Sequence, residues 1–426
     1  MKNRKTIVAM LMLAFATTAL AQQKLVGGDI SMLKKYVDEG AIYKDRNGNA
    51  TEPLTLFREA GWNAMRVRLF VDPSKASATH KKEGVIQDLD YVVALSKSIK
   101  EAGFSLMLDF HYSDTWTDPG QHSTPSAWST MSVAERTTAI YDYTKSCLQQ
   151  LKAAGAEPDI IQPGNEITYG MLWPSGHVYP NGTGASDGGT WDNFTAYLAS
   201  AIKGCREECP QAKIAIQTEM HNAGNVVNYY NVLARYANIS YDIIALSYYP
   251  DYHGTLETLD GTLSKLEQQH PEKEIMIVET GYGFKWKISG STFDYTATYP
   301  TTEEGQRKFA ADLVTVLNGH ERVTGLYWWF PEDSLFGLVF KANGGEDWSK
   351  QITSGYWNAS LFDQETGRAQ AALYELKNFL GPASVGGINA ARSAGNAWYT
   401  IDGRRLNGKP AASGLYINNG KKAVIK

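Results

Sequence analysis

The run Ile160-Ile161-Gln162-Pro163-Gly164-Asn165-Glu166 starts apolar and stops at a carboxylate, and Ile275-Met276-Ile277-Val278-Glu279-Thr280 repeats that pattern later in the chain. Short runs of this kind, apolar and rich in β-branched or aromatic residues, recur at 24–28, 64–70, 105–112, 159–166, 213–220, 242–249, 274–281 and 323–330. Between them lie stretches where apolar residues return every three or four positions, at 89–102, 132–153, 190–205, 225–236, 258–269 and 306–317. Gly, Pro and Asn punctuate the joints. Eight strands alternating with helices predict an α/β fold, the closed (β/α)8 TIM barrel, because an open sheet of that width is unusual. A doubly wound sheet would want a Gly-rich phosphate turn after its first strand, and Gly27-Gly28-Asp29 does not supply one.

The barrel reading dictates where chemistry lies, since active sites of this fold sit at the carboxyl ends of the strands. The polar residues gather there. The third run ends Asp109-Phe110-His111-Tyr112, whose Asp and His share a face by the period of two, and the second carries Arg66 and Arg68 on one face. The sixth ends Ser247-Tyr248-Tyr249-Pro250 and the eighth Tyr327-Trp328-Trp329. Each has an ordinary explanation taken alone: a Glu at a strand end is commonly a solvated terminus, and Arg66 can pair with a structural carboxylate. Their convergence on one rim is what argues for a site. Two carboxylates across an aromatic cleft are what glycoside hydrolysis requires, one to protonate the leaving oxygen and one to meet the oxocarbenium ion. Glu166 is read as general acid/base and Glu279 as nucleophile, with retention of configuration. Glu166 must then stay protonated, which an ionised Glu279 nearby achieves. Asn165 is expected on the sugar 2-hydroxyl, and Arg66 or Arg68 with Tyr248 is expected to hold Glu279 ionised.

Composition agrees. The 426 residues include 11 Trp, 24 Tyr and 14 Phe, flat faces that suit sugar rings even though most belong to the core. A net charge of −4 and a pI near 6.1 give no basic field for nucleic acid. Residues 1–21 have the parts of a secretory signal peptide: basic Lys2, Arg4 and Lys5, an apolar run, and Ala19-Leu20-Ala21 as cleavage site, so an exported product is expected. No stretch is long and apolar enough for a membrane helix. Cys147, Cys205 and Cys209 are an odd set, expected as free buried thiols; a zinc reading of Cys205 and Cys209 lacks a second ligand pair. No cofactor or metal is called for, and nothing advertises a protein partner, so a monomer is expected.

Several strings resemble the endo-β-1,4-galactanases of glycoside hydrolase family 53: Gly27-Gly28-Asp29-Ile30-Ser31, Asp109-Phe110-His111-Tyr112-Ser113-Asp114-Thr115-Trp116, Gly164-Asn165-Glu166-Ile167, Leu172-Trp173-Pro174, Ser247-Tyr248-Tyr249-Pro250 and Glu279-Thr280. The resemblance runs from about residue 24 to about residue 380. It implies a retaining barrel enzyme that cuts internal β-1,4 bonds of galactan or arabinogalactan, with Glu166 as acid/base and Glu279 as nucleophile. The candidate substrate-binding set is Asp29, Arg66, Arg68, Asp109, His111, Asp114, Trp116, Asn165, His221, Tyr248, Trp328 and Trp329. Three departures stand out. The segment 283–294 lacks the ligand density of the calcium loop of bacterial relatives, the usual Trp-Glu-Pro is Trp329-Phe330-Pro331, and Asp251-Tyr252 replaces the usual aromatic pair. The alternatives are a related two-Glu barrel acting on β-mannan, xylan or β-glucan, or a glycan-binding protein without catalysis.

The chain reads as a signal peptide at 1–21, the barrel at 22–382, and a linker with a small β-rich tail at 383–426. The tail is basic, with seven Lys or Arg against one acid over 384–426, and Asn419-Gly420 marks a hairpin turn. It resembles the C-terminal segments of exported Bacteroidetes proteins, which implies that lineage and a sorting or surface-association role; a small β module with no role of its own fits equally.

Overall fold

The computed structural model describes residues 23–220, 223–287, 291–333, 356–363, 366–381, 398–400, 405–406, 410, 413–418 and 421–425. The chain divides into two compact units, Met1–Phe379 and Leu380–Lys426. In the first, eight strands close a barrel in sequence order: β1 (Leu25–Asp29), β2 (Ala64–Leu69), β3 (Ser105–Phe110), β4 (Ile160–Pro163), β5 (Lys213–Glu219), β6 (Ile243–Tyr248), β7 (Glu274–Thr280) and β8 (Val323–Trp329). Pairing is parallel throughout and β1 joins β8, so the expected (β/α)8 barrel is the fold. The strands are buried on both faces, which is why they read as continuous apolar runs rather than alternating ones.

The helices form the outer layer where the 3.6-residue period placed them, at Leu89–Glu101, Val133–Ala153, Trp191–Glu208, Ala223–Leu233, Leu256–Gln269 and Glu303–Asn318. Polar caps fix the starts of five of them, all but Ala223–Leu233. Asp88 accepts from the Tyr91 N–H, Ser132 and Glu135 form a reciprocal capping box, and Thr190, Thr255 and Thr302 cap the next ones. The short helix Pro53–Glu59 between β1 and β2 has too few turns to show a period in sequence, though Pro at its first position and the Glu52 side chain accepting from Leu54 and Thr55 define it.

One residue or more from every strand packs at the barrel's centre, among them Ala64, Met107, Ile160, Ala215, Ala245, Val278 and Tyr327. That plug sets what lies above it. Counting by twos towards the carboxyl ends, Ala64 leads to Arg66 and Arg68, Met107 to Asp109 and His111, and Ile160 to Gln162. Ala215 leads to Gln217 and Glu219, Ala245 to Ser247 and Tyr249, and Tyr327 to Trp329. The polar layer is therefore a consequence of strand parity above an apolar floor.

The second unit is an antiparallel sheet of β9 (Trp398–Thr400), β10 (Arg405–Leu406), β11 (Gly414–Asn418) and β12 (Lys421–Ile425), in the order β10-β9-β11-β12. The strands β11 and β12 pair from Asn418↔Lys421 outward, the register of a two-residue hairpin connection. Residues 1–21 and His221 lie outside the described residues. Among the described residues no helix is long and apolar enough to cross a membrane. Cys147, Cys205 and Cys209 are buried free thiols, and burial pushes Cys147 and Cys209 up to about 12.

Candidate active site

Arg66 is the hub of the mouth. Fully buried on β2, its guanidinium meets Asp29 Oδ2 at 2.9 Å, Asp109 Oδ2 at 2.9 Å, Asn165 Oδ1 at 2.9 Å and Glu279 Oε1 at 3.0 Å. One cation thus spans four strand ends. Burial alone would raise the Asp109 carboxyl, but Arg66 and then His111 outweigh it and hold Asp109 below its ordinary value. His111 Nδ1 accepts from the Thr117 N–H at 3.2 Å, so the ring proton sits on Nε2, 3.2 Å from Asp109 Oδ2. Arg68 pairs with Asp29 Oδ1 at 3.1 Å and lies between the rings of Trp116 and Phe330, 4.7 and 5.2 Å from their centroids.

The two glutamates reach the mouth by different backbone devices. Glu166 follows β4 with φ 48° and ψ 48°, the left-handed region that a non-Gly residue rarely adopts. Gly164 before it has φ +114°, and a Cβ there would stand 2.7 Å from Ile167 Cγ2, so the bend needs glycine. Two bonds hold the bend: the Glu166 N–H donates to Gln217 Oε1 at 3.0 Å, and His122 Nε2 donates to the Glu166 carbonyl at 3.2 Å. Glu279 arrives by a β-bulge. Leu246 pairs with Ile277 but Ser247 with Glu279, which makes Val278 the extra residue. Val278 packs into the barrel floor and Glu279 still turns into the mouth, which strict alternation forbids.

Their environments differ sharply. Glu279 receives Arg66 and Gln217 Nε2 on Oε1, both at 3.0 Å, and the Tyr249 hydroxyl on Oε2 at 2.9 Å, a donor set suited to a carboxylate. Glu166 has no such cage. Burial, then the charge of Glu279, pushes its carboxyl well above the ordinary range; Glu219 and Asp118 add to the effect and a Ser247 hydrogen bond opposes it. A carboxyl caged by three donors and a carboxyl pushed towards its acid form thus face a single cavity of about 720 Å³, the arrangement for negative charge on one side and proton donation on the other.

Of the expected substrate-binding residues, Arg66, Arg68, His111, Trp116, Asn165 and Trp329 line this cavity with Glu166 and Glu279. Asn165 is tied by Arg66 and, through Nδ2, to the Thr117 carbonyl at 2.7 Å, which leaves one amide hydrogen for the cleft. Trp116 and Trp329 stand 6.5 Å apart at 59°, forming an aromatic wall. Five expectations need correcting. Tyr248 turns outward and its hydroxyl bonds the Gly254 carbonyl at 2.9 Å, so the tyrosine on Glu279 is Tyr249. Trp328 faces the helix layer, its Nε1–H on the Ala359 carbonyl at 2.6 Å. Asp29 and Asp109 are fully buried behind the wall as counter-ions of Arg66 and Arg68. Asp114 binds the N–H groups of Asp72 and Ser126, at 3.2 and 2.8 Å, and braces two loops. The Phe330 departure is likewise buried beside Arg68, outside the lining, whereas Tyr252 and His253 line the cavity.

Sequence reading missed Gln217, Glu219, Tyr249 and His253. Gln217 is the most central: its Oε1 holds the Glu166 N–H while its Nε2 reaches Glu279 and Ser247 Oγ, so one amide spaces both glutamates. A polar residue inside the apolar run Ile214-Ala215-Ile216-Gln217 was the available signal.

A profile of glycosyl hydrolase family 53 matches residues 25–376, nearly the whole barrel unit. The chain belongs to this family. The family 53 chain is a glycosidase, as its relatives agree. It is 32% identical over 332 residues to the probable arabinogalactan endo-β-1,4-galactanase A of Aspergillus terreus, covering 75% of this chain and 88% of the relative. Among solved structures, the family 53 catalytic domain of Ignisphaera aggregans matches with a TM-score of 0.71 at 28% identity, over 84% of this chain and 97% of that one. A fungal β-1,4-galactanase matches with a TM-score of 0.68 at 27% identity, over 83% and 99%.

Proposed function

We propose that this family 53 glycosidase is an exported, retaining endo-β-1,4-galactanase acting on galactan and arabinogalactan by double displacement. The observation that carries the reading is the contrast between Glu279, held by Arg66, Gln217 and Tyr249, and the buried, proton-retaining Glu166 in the same cavity. In the first step the Glu166 proton passes to the glycosidic oxygen as that bond breaks, and Glu279 forms an ester bond to the anomeric carbon. In the second, Glu166, now a carboxylate, takes a proton from water, whose oxygen displaces Glu279. Asn165, fixed at both ends by Arg66 and Thr117, addresses the 2-hydroxyl of the sugar being transferred. Trp116 and Trp329 stack on sugar faces. The galactan assignment draws on the named activities of the Aspergillus and fungal relatives.

The test is reducing-sugar release, with chromatography of products over time, from linear β-1,4-galactan beside β-mannan, xylan and β-glucan. Mixed oligosaccharides appearing early from galactan alone support the reading. Cutting of another glycan would keep the two glutamates and replace the substrate, and silence on all four would move the site to a binding role. Export with removal of residues 1–21 is checked by N-terminal sequencing of the mature protein, and the monomer by light scattering.

A further inference from the structure

The mouth holds a third carboxylate that the mechanism above does not use. Glu219 ends β5, is 4% exposed, and lines the same cavity as Glu166 and Glu279. Its backbone N–H donates to Thr168 Oγ1 at 3.1 Å, two residues beyond Glu166, so the strand end bearing one carboxyl is fastened to the turn bearing the other. Oε2 stands 3.7 Å from Nε2 of His253. The Nδ1 of that ring accepts the Tyr249 backbone N–H at 2.9 Å, and a backbone N–H can only donate. The ring proton therefore sits on Nε2, and His253 meets Glu219 as a neutral dipole rather than as a cation.

We propose that Glu219 is a positioning residue for proton transfer: its negative charge, fixed beside the turn that carries Glu166, keeps the Glu166 carboxyl in its acid form through the working pH range. The inference rests on Glu166 being the acid/base. The groups facing Glu166 are Glu279 from β7, Glu219 from β5, and Asp118 and His122 from the loop after β3. Burial pushes His122 down to about 3, so it brings no charge, and the three carboxyls of the set all raise Glu166. Among the described residues, those beside Glu219 include Glu166, His253 and Tyr169. Glu279 is consumed as an ester in the first step and loses its charge; Glu219 keeps its own throughout the cycle.

The experiment is the pH dependence of kcat on linear β-1,4-galactan for the full chain and its Glu219→Gln variant. The expected result is a basic limb displaced to lower pH by about one unit, whatever the height of the plateau. Glu219→Ala, which removes the charge without needing a hydrogen-bond partner, gives the same displacement should the Gln variant fail to fold. Glu219→Asp keeps the charge and leaves the limb at the parent's position. A basic limb that stays in place in the neutral variants overturns the proposal, as does one that moves equally in Glu219→Asp. Failure of the underlying reading looks different: Glu166→Gln would then hydrolyse galactan at the parent's rate.

Discussion

The two sides of the barrel mouth carry the same side chain and treat it in opposite ways. On the β7 side three donors converge on Glu279, one of them a guanidinium shared with Asp29 and Asp109. On the β4 side Glu166 is buried near Glu279, Glu219 and Asp118, with two bonds to its backbone and a Ser247 hydrogen bond to its carboxyl. Gln217 joins the sides, oxygen to one and amide nitrogen to the other. A carboxyl's role is thus decided by whether the fold aims three donors, one of them a cation, at its oxygens or a single hydroxyl.

If that division is right, the two glutamates fail differently when neutralised. Glu279→Gln removes the nucleophile and should lower kcat by on the order of 10⁴-fold on every substrate, however good its leaving group. Glu166→Gln should cost about 10²- to 10⁴-fold on galactan, where the departing oxygen needs a proton. With an aryl β-galactoside whose leaving group needs none, the first step should survive, and a burst of aryl alcohol followed by slow turnover is expected. Equal losses for both variants on both substrates would erase the contrast.

The next test separates neighbours of one strand. Tyr249→Phe takes a donor from Glu279 and should lower kcat about tenfold, while Tyr248→Phe, on the outer face, should leave kcat within about twofold. The same pairing distinguishes Trp329, in the cleft, from Trp328, on the Ala359 carbonyl: Trp329→Ala should raise KM for galactan, and Trp328→Phe should lower Tm with little change in KM.

Those pairs show what the sequence carries and what it withholds. The strand ends were legible because apolar runs that stop at a polar residue mark the carboxyl rim, and Arg66 with Arg68, or Asp109 with His111, share a face by simple alternation. The misplaced residues, Tyr248 named where Tyr249 holds Glu279 and Trp328 named together with Trp329, each sit one residue from a cleft position, a matter of parity. Counting by twos from Ala245 and Tyr327 would have mended both, since those residues form the barrel floor. The same counting from Val278 would have turned Glu279 outward, because the bulge that re-aims it arises from pairing with β6 and leaves no mark in the local sequence. Asp114 was misplaced for another reason: it sits in a loop, where no period applies, and its partners are backbone N–H groups of distant residues.

The smallest effect expected is on stability, and its sign depends on which side of the mouth is changed. Asp109 is held below its unfolded value, so it contributes stability above the unfolded pKa that is lost as pH falls through the folded one. Glu166 is held above its unfolded value, so the folded state binds a proton the unfolded chain has released, and a cost grows as pH rises past the unfolded pKa. Glu166→Gln should therefore melt higher than the parent at pH 8, with the difference closing towards pH 4. Asp109→Asn should melt lower than the parent at pH 7, because Arg66 loses a counter-charge and the His111 Nε2–H a charged acceptor, and that deficit should shrink in acid. Thermal unfolding of the three proteins across this range gives two difference curves. Curves of the same sign at pH 8 would mean that Glu166 is not held in its acid form, and the contrast between the two carboxyls would lose its physical basis.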